Sequence, residues 1–310
     1  MNPKQVYQLW DILWQQYRNR VSYARLYEQM ITAAGGKVAN DHIALRSLRL
    51  HTQVPPDNQT QTQNNPQVIN FGIEYLEKIT QLLGYQIGGE YTFPQKHLYA
   101  RHYYHPQQKE YNLPKLFISE LIVDELPQDI RNAIAQTITR GNLHTIINRS
   151  ISIPEDIIQL SHIFHRPWNP PKYSIVKQVN QVTQYGAWVL MHGYAVNHFT
   201  GYVNQQNTSQ YPDIDTTAKA LAQLDIPMKE KIEGCVEVGL RQTATRAVTE
   251  MITVLDDIKT LQEIKIPWTY AYYEIAQRYL IEQSGEKVLF EKFLGENATE
   301  LFEMTNLSHN

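Results

Sequence analysis

The chain has 310 residues, 28 Lys and Arg against 31 Asp and Glu, a formal net charge of −3, 42% hydrophobic residues and one cysteine. This balance leaves no basic face for nucleic acid or an anionic membrane, and the lone Cys235 excludes a disulfide framework or a multi-cysteine zinc site. No apolar run is long enough to span a bilayer, and the opening MNPKQVYQLW lacks the order of an export signal, so a cytoplasmic protein is expected.

From Pro3 to Ala34 the residues Val6, Leu9, Trp10, Leu13, Trp14 and Tyr17 recur at spacings of three and four, which predicts one or two packed helices. Gly35-Gly36 ends them and a strand starts near Asp41. Residues 51–67 are too polar to bury and read as a solvated loop. Phe71, Ile73, Leu76, Ile79, Leu82 and Leu83 then predict a helix closed by Gly84, followed by strands in HLYARHYYH and KLFISELIVDE. Leu126 to Lys177 turns helical. After it come a strand-like run GAWVLMHGYAVNHFTGYV, a helical patch TTAKALAQL and strand-like GCVEVGLRQTATRAV and WTYAYYEIAQRYL.

That order repeats itself. His42 and His198 lie in the first strand of each half, 198 − 42 = 156 residues apart; Glu120 and Glu274 lie in the last strands, 274 − 120 = 154 apart. The near-equal offsets point to a duplicated βαβββ unit, with Glu120 as the counterpart of Glu274. The layout expected is N-terminal helices at 1–38, a first module at 39–125, a helical insert at 126–180, a second module at 181–280 and a helical tail at 281–310, together one compact α+β unit.

Side chains two apart share a strand face, which groups His42 with Arg46, His198 with Thr200, and Tyr272 with Glu274 and Arg278. Polar groups facing a sheet interior are costly unless paired or bound to metal. Two His and one Glu match the facial triad of non-haem Fe(II) enzymes, which leaves coordination positions open for substrate and oxygen. Ordinary alternatives stay open: a core or surface histidine, a salt-bridged Arg46, or Glu274 and Arg278 paired on an exposed face. His192, six residues before His198 and so on its face by parity, is expected to hydrogen-bond and orient a metal ligand or to be a rival ligand itself, and Tyr272 sits beside Glu274 in the same supporting role. No phosphate-binding loop, dinucleotide fingerprint or serine-hydrolase elbow is present in the sequence.

The runs NDHIALRSL, FGIEYLEKITQLLGY, KLFISELIVDELP, VNHFTGYV, GLRQTATRAV and AYYEIAQR resemble those of the domain-of-unknown-function 1338 family, whose characterised members are 2-oxoadipate dioxygenase/decarboxylases. NATELFEMT near the C-terminus is similar too. The resemblance implies two βαβββ modules curled into an open barrel like that of the vicinal-oxygen-chelate superfamily, around Fe(II) held by His42, His198 and Glu274. It implies that Arg46 binds a substrate carboxylate, that Arg241, Gln242 and Arg278 line the pocket, and that Glu120 is structural. The implied reaction takes 2-oxoadipate, an intermediate of lysine breakdown, with O2 to 2-hydroxyglutarate and CO2. A metal-dependent isomerase or lyase of the same superfamily, or a non-catalytic organic-acid-binding protein, are the alternatives. Oligomeric state and the choice among homologous 2-oxo acids stay open.

Overall fold

The computed structural model describes residues 1–54, 67–140, 156–259 and 262–294. Helix α1 (Pro3–Arg20) starts at a capping box, in which Gln5 N donates to the Asn2 side chain and Asn2 N donates to that of Gln5. Its predicted apolar stripe is buried, and with α2 (Ser22–Ala33) it covers the back of the sheet. Trp14 meets Phe199 at 5.2 Å between ring centroids, and Tyr27 meets Tyr273 at 4.8 Å.

The first module runs β1 (Asn40–Arg49), β2 (His51–Val54), β3 (Gln67–Asn70), α3 (Ile73–Leu82), β4 (Gln86–Phe93), β5 (Leu98–Tyr104), the single turn α4 (Gln108–Tyr111) and β6 (Lys115–Ile122). Helices α5 (Gln128–Thr139), α6 (Ile157–Ser161), α7 (Tyr173–Val182) and α8 (Gln184–His192) intervene. The second module runs β7 (Val196–Tyr202), α9 (Ile214–Gln223), β8 (Glu233–Cys235), β9 (Leu240–Ala244), an inserted hairpin β10 (Thr249–Leu255) and β11 (Glu263–Thr269), and β12 (Glu274–Arg278); β13 (Leu280–Gln283) and β14 (Glu286–Leu289) follow.

The sheet order is β4-β5-β6-β1-β7-β12-β9-β8. Read outward from the central pair, both halves give first strand, last strand, third strand, second strand. Each first strand is parallel to its own last strand, while β1 and β7 are antiparallel to each other across the seam. The predicted duplication is therefore present as topology, and the sheet curls into an open barrel whose concave side holds the site. No helix among the described residues is long and apolar enough to cross a membrane.

Four expectations need correction. The start of GAWVLMHGYAVNHFTGYV is helix α8, not strand: residues Tyr185 to His192 are buried on every side, so periodicity carried no signal, and Gly193 at φ 63° breaks the helix before β7. The ends of the polar 51–67 stretch pair as β2 and β3; residues 55–66 lie outside the described part. The described part of the tail is a hairpin rather than helix, because Ser284-Gly285, both at positive φ, supply a tight turn between β13 and β14. The remainder of the tail, with NATELFEMT, lies outside the described residues.

The fourth correction concerns Glu120. In the parallel ladders Thr200 pairs with Glu274, whereas Ala44, two residues past His42 as Thr200 is past His198, pairs with Phe117. Phe117 is thus the counterpart of Glu274. Glu120 lies on the opposite face of β6, where Oε2 accepts from Ile73 N at 2.7 Å and Oε1 from Arg49 Nε at 2.6 Å. It caps the N-terminus of α3.

Candidate metal centre

The two seam strands carry one histidine each onto the concave face, and β12, hydrogen-bonded to β7, carries the carboxylate. His42, His198 and Glu274 are all buried, and one ligand atom from each lies within 4.8 Å of the other two. His42 Nε2 is 3.6 Å and His198 Nε2 3.7 Å from the Glu274 carboxylate, and the two Nε2 atoms are 3.4 Å apart.

Each imidazole is oriented by the residue before it. His42 Nδ1 donates to Asp41 Oδ2 at 2.9 Å and His198 Nδ1 to Asn197 Oδ1 at 3.0 Å, so both rings carry the proton on Nδ1 and turn the Nε2 lone pair inward. Neighbours in a strand normally face opposite sides. Here the β1–β7 pairing skips Asp41 on one strand and Asn197 on the other, and these twin irregularities let each Asx residue reach the ring that follows it. Sequence reasoning missed both residues, although the repeat held the signal: 197 − 41 = 156, the histidine offset.

The donor set fits a divalent cation. Glu274 is 1% exposed, and neither carboxylate oxygen has a hydrogen-bond partner of good geometry among the described residues, although Thr200 lies near enough to counter a little of the pKa shift. Burial, then the nearby Glu233 and Asp41 carboxylates, push the Glu274 carboxyl well above its usual range. Burial likewise lowers the pKa of His42 and, more strongly, that of His198. A buried acid facing two neutral imidazoles is an arrangement that a bound cation would compensate. Two nitrogens and one oxygen suit iron, and the set leaves room for further ligands.

A cavity partly open to solvent lies beside the triad. Phe93, Phe117, Phe293 and Leu294 form apolar walls, Tyr272 stacks on His198 with ring centroids 4.7 Å apart, and Arg46, Ser119 and Gln242 supply polarity. Arg46 is 2% exposed; its guanidinium lies 4.9 Å from the Tyr185 ring and 5.0 Å from that of Trp188. Burial lowers its pKa, an effect that Tyr272 and Tyr185 oppose.

Comparison with known proteins follows the same lines. A family profile described as 2-oxoadipate dioxygenase/decarboxylase matches residues 9–309. The chain belongs to the 2-oxoadipate dioxygenase/decarboxylase family. A 2-oxoadipate dioxygenase/decarboxylase of chloroplasts and amyloplasts from Oryza sativa subsp. japonica is 29% identical over 231 residues, 70% of this chain but only 58% of that protein. The chain thus spans little more than half the length of this relative. Among solved structures, hydroxyglutarate synthase from Oryza sativa in complex with 2-oxoadipate superposes with a TM-score of 0.74 at 21% identity, covering 99% of this chain and 93% of the other. A protein from Ralstonia eutropha JMP134, whose description assigns it provisionally to the glyoxalase superfamily, gives 0.73 at 20%, covering 94% and 86%. At these identities the two structures speak for the fold.

The other residues singled out in this member of the 2-oxoadipate dioxygenase/decarboxylase family fall in different places. Gln242 and Tyr272 line the cavity. Arg241, the neighbour of Gln242 in β9, points to the opposite face and binds Asp215 of α9 through both Nη atoms, at 2.5 and 2.8 Å. Arg278 neither lines the cavity nor pairs with Glu274. It is 1% exposed and forms a fork on Asp41, Nε to Oδ1 at 2.6 Å and Nη2 to Oδ2 at 2.8 Å. Burial works to raise the Asp41 pKa, but Arg278, with help from His42 and Lys115, outweighs it and holds the carboxylate well below its usual range. His192 is also misplaced by the parity argument, because it ends helix α8 instead of lying on β7. Its Nε2 donates to Thr269 O at 3.0 Å, away from the triad.

Proposed function

We propose that the chain is an Fe(II)-dependent dioxygenase/decarboxylase that takes 2-oxoadipate and O2 to 2-hydroxyglutarate and CO2, with His42, His198 and Glu274 holding the iron. The observation that carries this reading is the buried Glu274 carboxylate, left without a good hydrogen bond and facing two imidazole lone pairs. When bound, the ion supplies a redox-active centre with positions left for a 2-oxo acid and O2. Family membership over residues 9–309 supports the reaction class.

The chain's own residues do the positioning. Asp41 and Asn197 keep both Nε2 atoms inward. Arg46, four residues past His42 on the same strand, sits about 13 Å along the strand from it, a span that suits a six-carbon diacid held at its far carboxylate by a guanidinium fork. Gln242 and Ser119 offer hydrogen bonds to the chain between, and the aromatic walls keep bulk water from the reacting carbons. A single cysteine suits a reducing compartment such as the cytoplasm.

Anaerobic loading with Fe(II), followed by O2 uptake and CO2 release on adding 2-oxoadipate, tests the reading. One CO2 is expected per O2, with 2-oxo monoacids of equal length poorly used. His198→Ala and Glu274→Gln are expected to lose iron and turnover together; full iron occupancy in both would overturn the ligand set.

A further inference from the structure

After β14 the chain turns back over the cavity as a short strap, Phe290 to Leu294. Phe293 stands edge-on to the His42 ring at 4.8 Å, and its N–H donates to Tyr91 Oη at 3.1 Å. The same guanidinium that forks Asp41 also ties this strap down: Arg278 Nη1 donates to Phe290 O at 3.1 Å and Lys292 O at 2.7 Å, and the group lies 5.1 Å from the Phe293 ring. Arg278 therefore bonds on one side to the carboxylate that orients His42 and on the other to the backbone that roofs the cavity.

We propose that Arg278 is a positioning residue that couples the seating of the Phe290–Leu294 strap to the metal affinity of His42, so that the cavity is covered when the metal site is assembled. The inference rests on the ligand set proposed above. A planar guanidinium cannot shift on Asp41 without disturbing its bonds to the strap, so whatever fixes His42 also fixes the roof. Coupling of this kind is reciprocal: metal seats the strap, and a seated strap tightens metal binding.

Co(II) serves as a spectroscopic probe for Fe(II), and trypsin cleavage after the exposed Lys292, read by mass spectrometry, reports the strap. In the wild-type chain, saturating Co(II) is expected to slow that cleavage about 10-fold. Arg278→Lys, which keeps the charge but loses the fork, is expected to weaken Co(II) binding about 10- to 100-fold and to be cleaved at the same rate with or without Co(II). A folded Arg278→Lys that binds Co(II) as tightly as wild type overturns the proposal, since a purely structural role would lower Tm and leave affinity alone. Should the variant not fold, the wild-type measurement decides: Co(II) bound with no change in Lys292 cleavage overturns the coupling. A wild-type chain that binds Co(II) no better than His198→Ala overturns the ligand set, and this inference with it.

Discussion

Arg46 is a cation held out of water above a cavity whose other walls are largely aromatic, so its contribution is read most directly in substrate affinity. Replacing it with Ala removes a charge-assisted pair worth about 1.5–3 kcal/mol, and the diacid is expected to bind roughly 10- to 150-fold more weakly. Arg46→Lys is expected to recover little of that loss, because an ammonium offers no planar fork. Iron binding should persist in both variants, and isothermal titration with metal and diacid in turn checks the split. At this scale the sequence was legible where a residue's character clashed with its position: His42, His198 and Glu274 are polar groups on strand faces where a core would be apolar. Asp41 and Asn197 escaped because strict alternation turns them away from the site, and only the irregular β1–β7 pairing brings them round. Arg278 was found on the right face but given the wrong work, since sequence spacing carries no information about a carboxylate 237 positions away.

Among the elements, α1 and α3 were readable from their apolar stripes, whereas α8 was not, because a helix buried all round has no polar face to mark its period. The β10–β11 hairpin went unseen because it lies almost wholly between the two strand-like runs that end at Val248 and begin at Trp268. Helix α3 also explains Glu120, whose carboxylate closes its first turn. Glu120→Ala is expected to lower unfolding stability by about 2 kcal/mol, from the lost cap and the stranded Arg49, with no change in metal affinity. Urea denaturation beside a Co(II) titration checks both halves of that statement. Parallel weakening of metal binding would return Glu120 to the site.

Stability of the whole molecule carries a pH dependence that the sequence did not announce. Burial, only partly countered by the Thr269 carbonyl, pulls His192 from its ordinary value near 6.5 to about 3. The unfolded chain therefore takes up a proton that the folded one refuses. The stabilisation is complete above about pH 6.5 and is lost as pH falls toward 3, at about 1.4 kcal/mol per pH unit between. Replacing His192 with Gln is expected to reduce the slope of the denaturation midpoint against pH over that window, whatever it does to the absolute value, leaving the share owed to other buried imidazoles such as His102, which burial holds at about 4. An unchanged slope would mean that His192 already titrates in the folded protein.

The palindromic strand order carries different side chains at the position that faces the proposed metal site. Where the later half offers an acid, the earlier half offers the phenyl ring of Phe117. On the proposed ligand set, a faithful duplicate would offer a six-coordinate divalent ion two imidazoles and two carboxylates, neutralising it and leaving two positions where a chelating 2-oxo acid and O2 need three. Restoring the mirror image with Phe117→Glu is expected to give a chain that grips Co(II) more firmly than its parent and turns over nothing. On the proposed ligand set, the asymmetry between the two halves is what keeps a third position free for a reactant.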